Sequence, residues 1–146
     1  MPIHGDGGHA SVVRELTFDN PDGWIIAIGD NGARQKESRR YNLFARAIHP
    51  SAVISPSATI GPGTVIMAGA IVQARAVIGA HCIVNTAASV DHDCIIEDFA
   101  HIAPGVRLCG GVRVGEGALV GVGSCAVPGA QVAPWRIIPA GSVLIK

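Results

Sequence analysis

The chain has 146 residues, with eleven basic and eleven acidic side chains for a formal net charge of zero, and few aromatics. That balance excludes the broad basic surface of a nucleic-acid or anionic-lipid binder, and the length suits one domain or a small domain with an appendage. Abundant aliphatics and glycine predict a core of stacked Ile and Val rather than of large rings.

The chain opens with Met1 to His4, followed by GDGGHASVVREL from Gly5 to Leu16, with no charged-then-apolar signal peptide. Glycines ahead of Val12, Val13 and Leu16 predict a loop feeding a helix, whose exposed amides suit a phosphate; as a motif this is weak, lacking the full GxGxxG. A turn cluster, FDNPDG, leads to Trp24–Ile28, read as a buried strand, then to a turn at Gly29–Asn31. The polar stretch that follows reads as an exposed helix, with Arg34, Lys36, Arg39 and Arg40 beside Glu37 on a solvated face.

From Ile48 to Leu144 an aliphatic residue returns every six positions without an insertion, Ala126 being the sole departure from Ile, Val or Leu. This period matches neither a helix nor a simple alternating strand, and it is the signature of a hexapeptide β-helix. The fifth residue of most hexads is small (Ala52, Ala58, Thr64, Ala70, Ala76, Cys82), which predicts a tight corner there. The most apolar stretch, Ala118–Ala133, keeps the period and is broken by glycines and Pro128, so it reads as coil wall and not as a membrane span. Cys82, Cys94, Cys109 and Cys125 form no CxxC pair; all four read as structural, in a reducing cytoplasm.

This pattern resembles the left-handed parallel β-helix acyltransferases, with three flat faces of one hexad each. The resemblance implies a mainly β fold, a left-handed parallel β-helix of about five coils over 48–146, preceded by a short abridged α/β segment over 1–47. Three hexads make one coil, so residues eighteen apart should stack in a column at about 4.8 Å per coil. The front segment is similar to the nucleotide-sugar-binding domain of one branch, the sialic acid O-acetyltransferase and bacillosamine N-acetyltransferase type. GDGGHASVV and AIGDN match that branch's loop and strand end, which implies substrate contacts at Gly7, Gly8, His9 and Asn31. Between Leu16 and Trp24 only seven residues stand, where the branch carries a further strand with acidic residues.

Asn85–Gly111 carries the chemistry. His92 lies between Asp91 and Asp93, and His101 follows nine residues, or half a coil, later. The two rings therefore face different ways on one subunit, and line one cleft only between subunits of a trimer. Acyl transfer from a thioester needs a base near neutral pH and donors for the tetrahedral oxyanion. His92 suits the first role, and Gly110, eighteen residues on and followed by Gly111, brings a backbone amide above it. The column continues through Pro128 to Lys146, a length that suits part of an extended pantetheine arm. Asp91 rivals Asp93 as the acid on His92, because strand alternation sends both neighbours away unless the chain bends. In the same branch the NTxxxVxHDCxIxxxxHIxPG signature implies His92 as general base with Asp93 as its acid, His101 near the acetyl donor, and Gly110 as the oxyanion amide.

The resemblance implies an acetyl-CoA-dependent acetyltransferase that uses no metal and acts on a sugar, foremost the amine of an amino-sugar nucleotide, and the split site predicts a homotrimer. His49 and His81 read as surface residues. A γ-type carbonic anhydrase would need histidines a whole coil apart, and no pair is separated by eighteen or thirty-six. A non-catalytic trimeric β-helix scaffold is the alternative, kept by the short front segment and by an end at SVLIK.

Overall fold

The computed structural model describes residues 2–146. The front segment runs β1 (Ile3–His4), α1 (Gly8–Val13), β2 (Thr17–Phe18), β3 (Ile25–Ile26) and α2 (Asn31–Ser38). Strands β1 and β3 pair in parallel, Ile3 opposite Ile25. The loop-to-helix opening and the helix in the Arg-rich stretch thus form where the sequence predicts them. Asp30 starts α2 by accepting the Ala33 amide at 2.7 Å, which satisfies one of the free donors of the first turn.

Beyond it the chain repeats a single unit. Seventeen two-residue strands, β4 (Ala47–Ile48) to β20 (Val143–Leu144), recur every six residues. They stack into three sheets of six, six and five parallel strands, every third strand joining the same sheet. Each residue pairs with the one eighteen further on, Val84 with Ile102 and Ile102 with Val120, so the column rule holds. The first residue of each hexad points inward, and Ile66, Val84, Val90, Ile102 and Val120 are wholly buried. The molecule is mainly β, a parallel solenoid, as the six-residue period predicts.

The corners differ from the expectation in one respect. The turn is made at the fourth residue of the hexad, where φ is positive at every sixth position from Gly63 to Gly141. The small fifth residue fills the corner from inside; Ala70, Ala76, Cys82, Ala88 and Cys94 are fully buried. Six corners carry a side chain in this left-handed conformation: Arg75, His81, Ala87, Asp93, Phe99 and Trp135.

The front segment lies on the outer face of one sheet. Ala10, Val13, Leu16, Ile25 and Ala27 form a second core with Ala47, Val65 and Met67. The outward residues Val65 and Ile83 are consequently buried, whereas Val53 and Val77, on the other two sheets, are exposed. β2 pairs antiparallel with β4, Thr17 opposite Ile48, so the front segment adds a strand to the first sheet.

Two side chains read as solvated are buried here. Arg34 is 1% exposed, and its guanidinium crosses from α2 into the solenoid. It donates to the carbonyls of His81 (2.8 Å), Ile28 (2.9 Å), Gly29 (3.1 Å) and Phe99 (2.7 Å), and to Asn31 Oδ1 (2.8 Å). Five acceptors replace water around the charge, which makes its burial tolerable. His81 is 6% exposed, stacked on Phe99 with ring centroids 5.0 Å apart and met edge-on by Phe44. The left-handed corner turns its ring along the axis, so it lies under the front segment and not on the surface.

Candidate active site

His92 and Asp93 occupy the third and fourth places of one hexad, between β11 (Ser89–Val90) and β12 (Ile95–Ile96). Asp93 holds φ 59°, and this bend resolves the rivalry between the two acids. It brings the Asp93 carboxylate to His92 Nδ1 at 2.7 Å, whereas Asp91 Oδ1 accepts the His92 backbone amide at 2.7 Å. The Arg75 guanidinium, and then His92, hold the Asp93 carboxyl down at about 2. An ionised carboxylate can only accept, so His92 donates from Nδ1 and its Nε2 is left bare as a base.

Gly110 lies directly against that ring. A Cβ at Gly110 would fall 2.6 Å from His92 Nε2 and 2.5 Å from Cε1, so only glycine lets the two approach so closely. Gly111 is exposed, with open space where a side chain would project. Amides at the third place of a hexad take no part in the strand ladder, which is why six of the nine prolines (Pro50, Pro56, Pro62, Pro104, Pro128, Pro134) stand there. Elsewhere a side chain caps the spare amide, as Asp98 caps Ala80 and Glu97 caps Glu116. The Gly110 amide has no acceptor among the described residues. A free donor beside a bare imidazole nitrogen is the arrangement an acyl-transfer site needs. The proline positions carry this signal in the sequence.

Further along the column, Gly129 donates to the Gly110 carbonyl at 3.0 Å, exposed Pro128 precedes it, and Lys146 folds back over Gly129. Arg75, not singled out in the sequence, joins the site through Asp93.

His101 is placed apart from this corner, on β13 (His101–Ile102) in the sheet that the front segment covers. Asn85 Nδ2 donates to its Nε2 at 3.1 Å, with the Asn85 amide oriented by Thr86 N on Oδ1 at 2.8 Å. Burial pushes the imidazole down to about 4, with Arg34 and His9 adding to the shift and the Gly29 backbone opposing it. Gly7, Gly8 and His9 line a cleft with Asp6, Ile28 and Gly29. His9 Nε2 is buried there without a partner, and burial, then Arg34, lowers its pKa to about 4. Asn31 borders a different cleft, with Asp30, Gly117 and Trp135. Its side chain is engaged internally, donating to Gly117 and Ala118 carbonyls at 3.0 and 3.3 Å and accepting from Arg34. No cluster of three metal-ligating side chains and no helix long and apolar enough to cross a membrane occurs among the described residues. Cys82 and Cys94 are buried; Cys109 and Cys125 are exposed.

No family model matches the chain, and no curated protein matches it. Among solved structures, the acetyltransferase domain of PglB from Neisseria gonorrhoeae FA1090 is similar with a TM-score of 0.91 and 33% identity, over 97% of this chain and 89% of that one. The chain belongs to the hexapeptide-repeat β-helix acyltransferases. Within this acyltransferase family, PerB from Caulobacter crescentus, solved with CoA and GDP-perosamine, is 37% identical over 97% of this chain and 86% of that one, with a TM-score of 0.89. The PglB domain solved with acetyl coenzyme A is 32% identical over 99% and 95% of the two chains, with a TM-score of 0.83. WeeI from Acinetobacter baumannii AYE, at 22% identity with 88% of this chain and 70% of that one covered and a TM-score of 0.64, shares the fold.

Proposed function

We propose that this acyltransferase moves the acetyl group of acetyl-CoA to the amine of an amino-sugar nucleotide. The observation that carries the reading is the His92–Asp93 pair seated against Gly110, whose amide is free. The relatives solved with acetyl-CoA, and with CoA and GDP-perosamine, support the donor and the acceptor class.

In the reaction the amine attacks the thioester carbonyl carbon, forming the C–N bond while its proton passes to His92 Nε2. Charge develops on the carbonyl oxygen, where the Gly110 amide donates to it. The tetrahedral adduct collapses, the C–S bond breaks, and the imidazolium returns its proton to the departing thiolate. Asp93 holds the Nδ1–H tautomer throughout and stabilises the transient cation. Gly111, Pro128 and Lys146 continue along the corner as the donor's path. Gly7, Gly8 and His9 form the nucleotide side, while Asn31 borders the neighbouring cleft and orders the Gly117 and Ala118 backbone there. His101 lies on another sheet from His92, which supports a homotrimer in which His101 of one subunit faces His92 of the next. The free thiols suit a cytoplasmic setting, and the hand of the coil is left, as the family resemblance implies.

Calorimetry with acetyl-CoA on the wild type and on His92→Ala, followed by thiol release with UDP-, dTDP- and GDP-linked amino sugars, tests the reading. Both proteins are expected to bind the donor, with turnover at least about 100-fold slower in the variant. Donor binding absent at millimolar concentration overturns it. Light scattering at the mass of a monomer would overturn the trimer.

A further inference from the structure

Arg75 stands eighteen residues before Asp93 and therefore one coil below it, at the same corner of the solenoid. Both residues adopt the left-handed conformation, φ 58° and 59°, at a place in the hexad where most corners carry glycine. That conformation is strained for a residue with a side chain. Two neighbouring corners in one column bear the strain together, and their side chains meet.

The meeting is a fork. Arg75 Nε donates to Asp93 Oδ1 at 2.7 Å and Nη2 to Oδ2 at 2.9 Å. Oδ2 also receives His92 Nδ1 at 2.7 Å, so one carboxylate bridges guanidinium and imidazole. Isolated surface ion pairs contribute little, but a bidentate guanidinium fixes the plane of the carboxylate as a lysine cannot. With the plane fixed, the Nδ1–H tautomer is fixed, and Nε2 stays over Gly110. The guanidinium also balances the Asp93 charge, so the imidazole lies beside a neutral pair and not beside a bare anion. Asp91, the other acid beside His92, is turned to the His92 backbone amide. Gly110 and Gly111, on the next coil, add no charge.

We propose that Arg75 is a positioning residue of the acetyl-transfer site, orienting Asp93 and through it setting the tautomer and basicity of His92. This inference rests on the acetyltransferase reading, and its test separates the two. Histidine labelled with ¹⁵N reads the titration midpoint and tautomer of His92 without any turnover, and steady-state kinetics on the same proteins reads the reaction.

In Arg75→Met the uncompensated Asp93 charge should raise the His92 midpoint and leave a mixture of tautomers. The turnover number at pH 7 should fall about 10- to 100-fold, the scale for partners that orient a functional histidine, with the KM for acetyl-CoA unchanged. Arg75→Lys should restore the midpoint, because the charge returns, but not the single tautomer, and it should recover only part of the turnover. An Arg75→Met protein with the midpoint and tautomer of the wild type overturns the proposal. So does one whose titration moves while turnover stays the same. A wild type that transfers acetyl to no acceptor sinks the acetyltransferase reading and any role of Arg75 in transfer, while the titration still decides whether Arg75 governs His92.

Discussion

At the scale of single residues, the site depends on one missing side chain. Gly110→Ala would put a methyl group 2.5 to 2.6 Å from the His92 ring, which must then rotate off the Gly110 amide. Turnover should fall about 100- to 1000-fold, as when an oxyanion donor is lost, with little change in melting temperature. Steady-state kinetics beside calorimetric melting checks both halves. The hexad frame supplies an eighteen-residue ruler that sets Gly110 over His92 in the sequence, whereas the choice of Asp93 over Asp91 came only from the family resemblance, because strand alternation does not show the bend at that corner. Arg75 lies on the same ruler, one coil below Asp93, but a lone arginine at a corner carries no motif that marks it. Arg34 was not legible at all. Its partners are main-chain carbonyls and one amide oxygen, so no acidic residue in the sequence marks where the charge goes to ground.

At the scale of elements, α2 is fastened by that buried cation, with Asn31 on the Gly117 and Ala118 carbonyls and Gln35 on Glu116 beside it. Arg34→Met keeps most of the volume but leaves the carbonyls of His81 and Phe99 without their donor. A buried acceptor left unpaired costs about 1–3 kcal/mol, so the variant should lose roughly 3 kcal/mol overall, measured by urea unfolding. Hydrogen exchange in the same variant should quicken in β3 and α2 while β14 (Arg107–Leu108) to β17 (Cys125–Ala126) stay protected, because each coil rests only on its neighbours. The six-residue recurrence of the solenoid strands was visible in the sequence. The covered face was not, because a hexad looks the same whether its outward residue meets water or the front segment. Val65 and Val77 are the same residue type at equivalent places; one is 1% exposed and the other 43%.

For the molecule as a whole, three histidines tie stability to pH. His9, His81 and His101 each fall from 6.5 to about 4 on folding, with burial as the largest cause in each case and Arg34 next. All three rings lie where the front segment meets the solenoid: His9 on α1, His81 against Phe44, His101 near Gly29. Between pH 6.5 and 4 the unfolded chain binds protons that the folded chain refuses, so folding stability falls as pH falls through that window and is fully present above it. The melting temperature should therefore drop from pH 7 to pH 4, with the front segment the first to exchange its amides. A flat profile across that range would contradict the burial of the three rings.

The same fastening sets an order on manufacture. Asn31 and Arg34 leave the ribosome early, yet the acceptors they need are the carbonyls of Gly117 and Phe99. Translation at about 5–20 residues per second leaves roughly 4–17 s between Asn31 and its partner 86 residues later. Early in that interval, until Ala47, Val65 and Met67 are made, Ile25, Val13 and Leu16, which end in the second core, have no wall to close against. The segment made first is completed last, and the newborn chain has to keep a greasy, half-built end from its neighbours until the solenoid catches up.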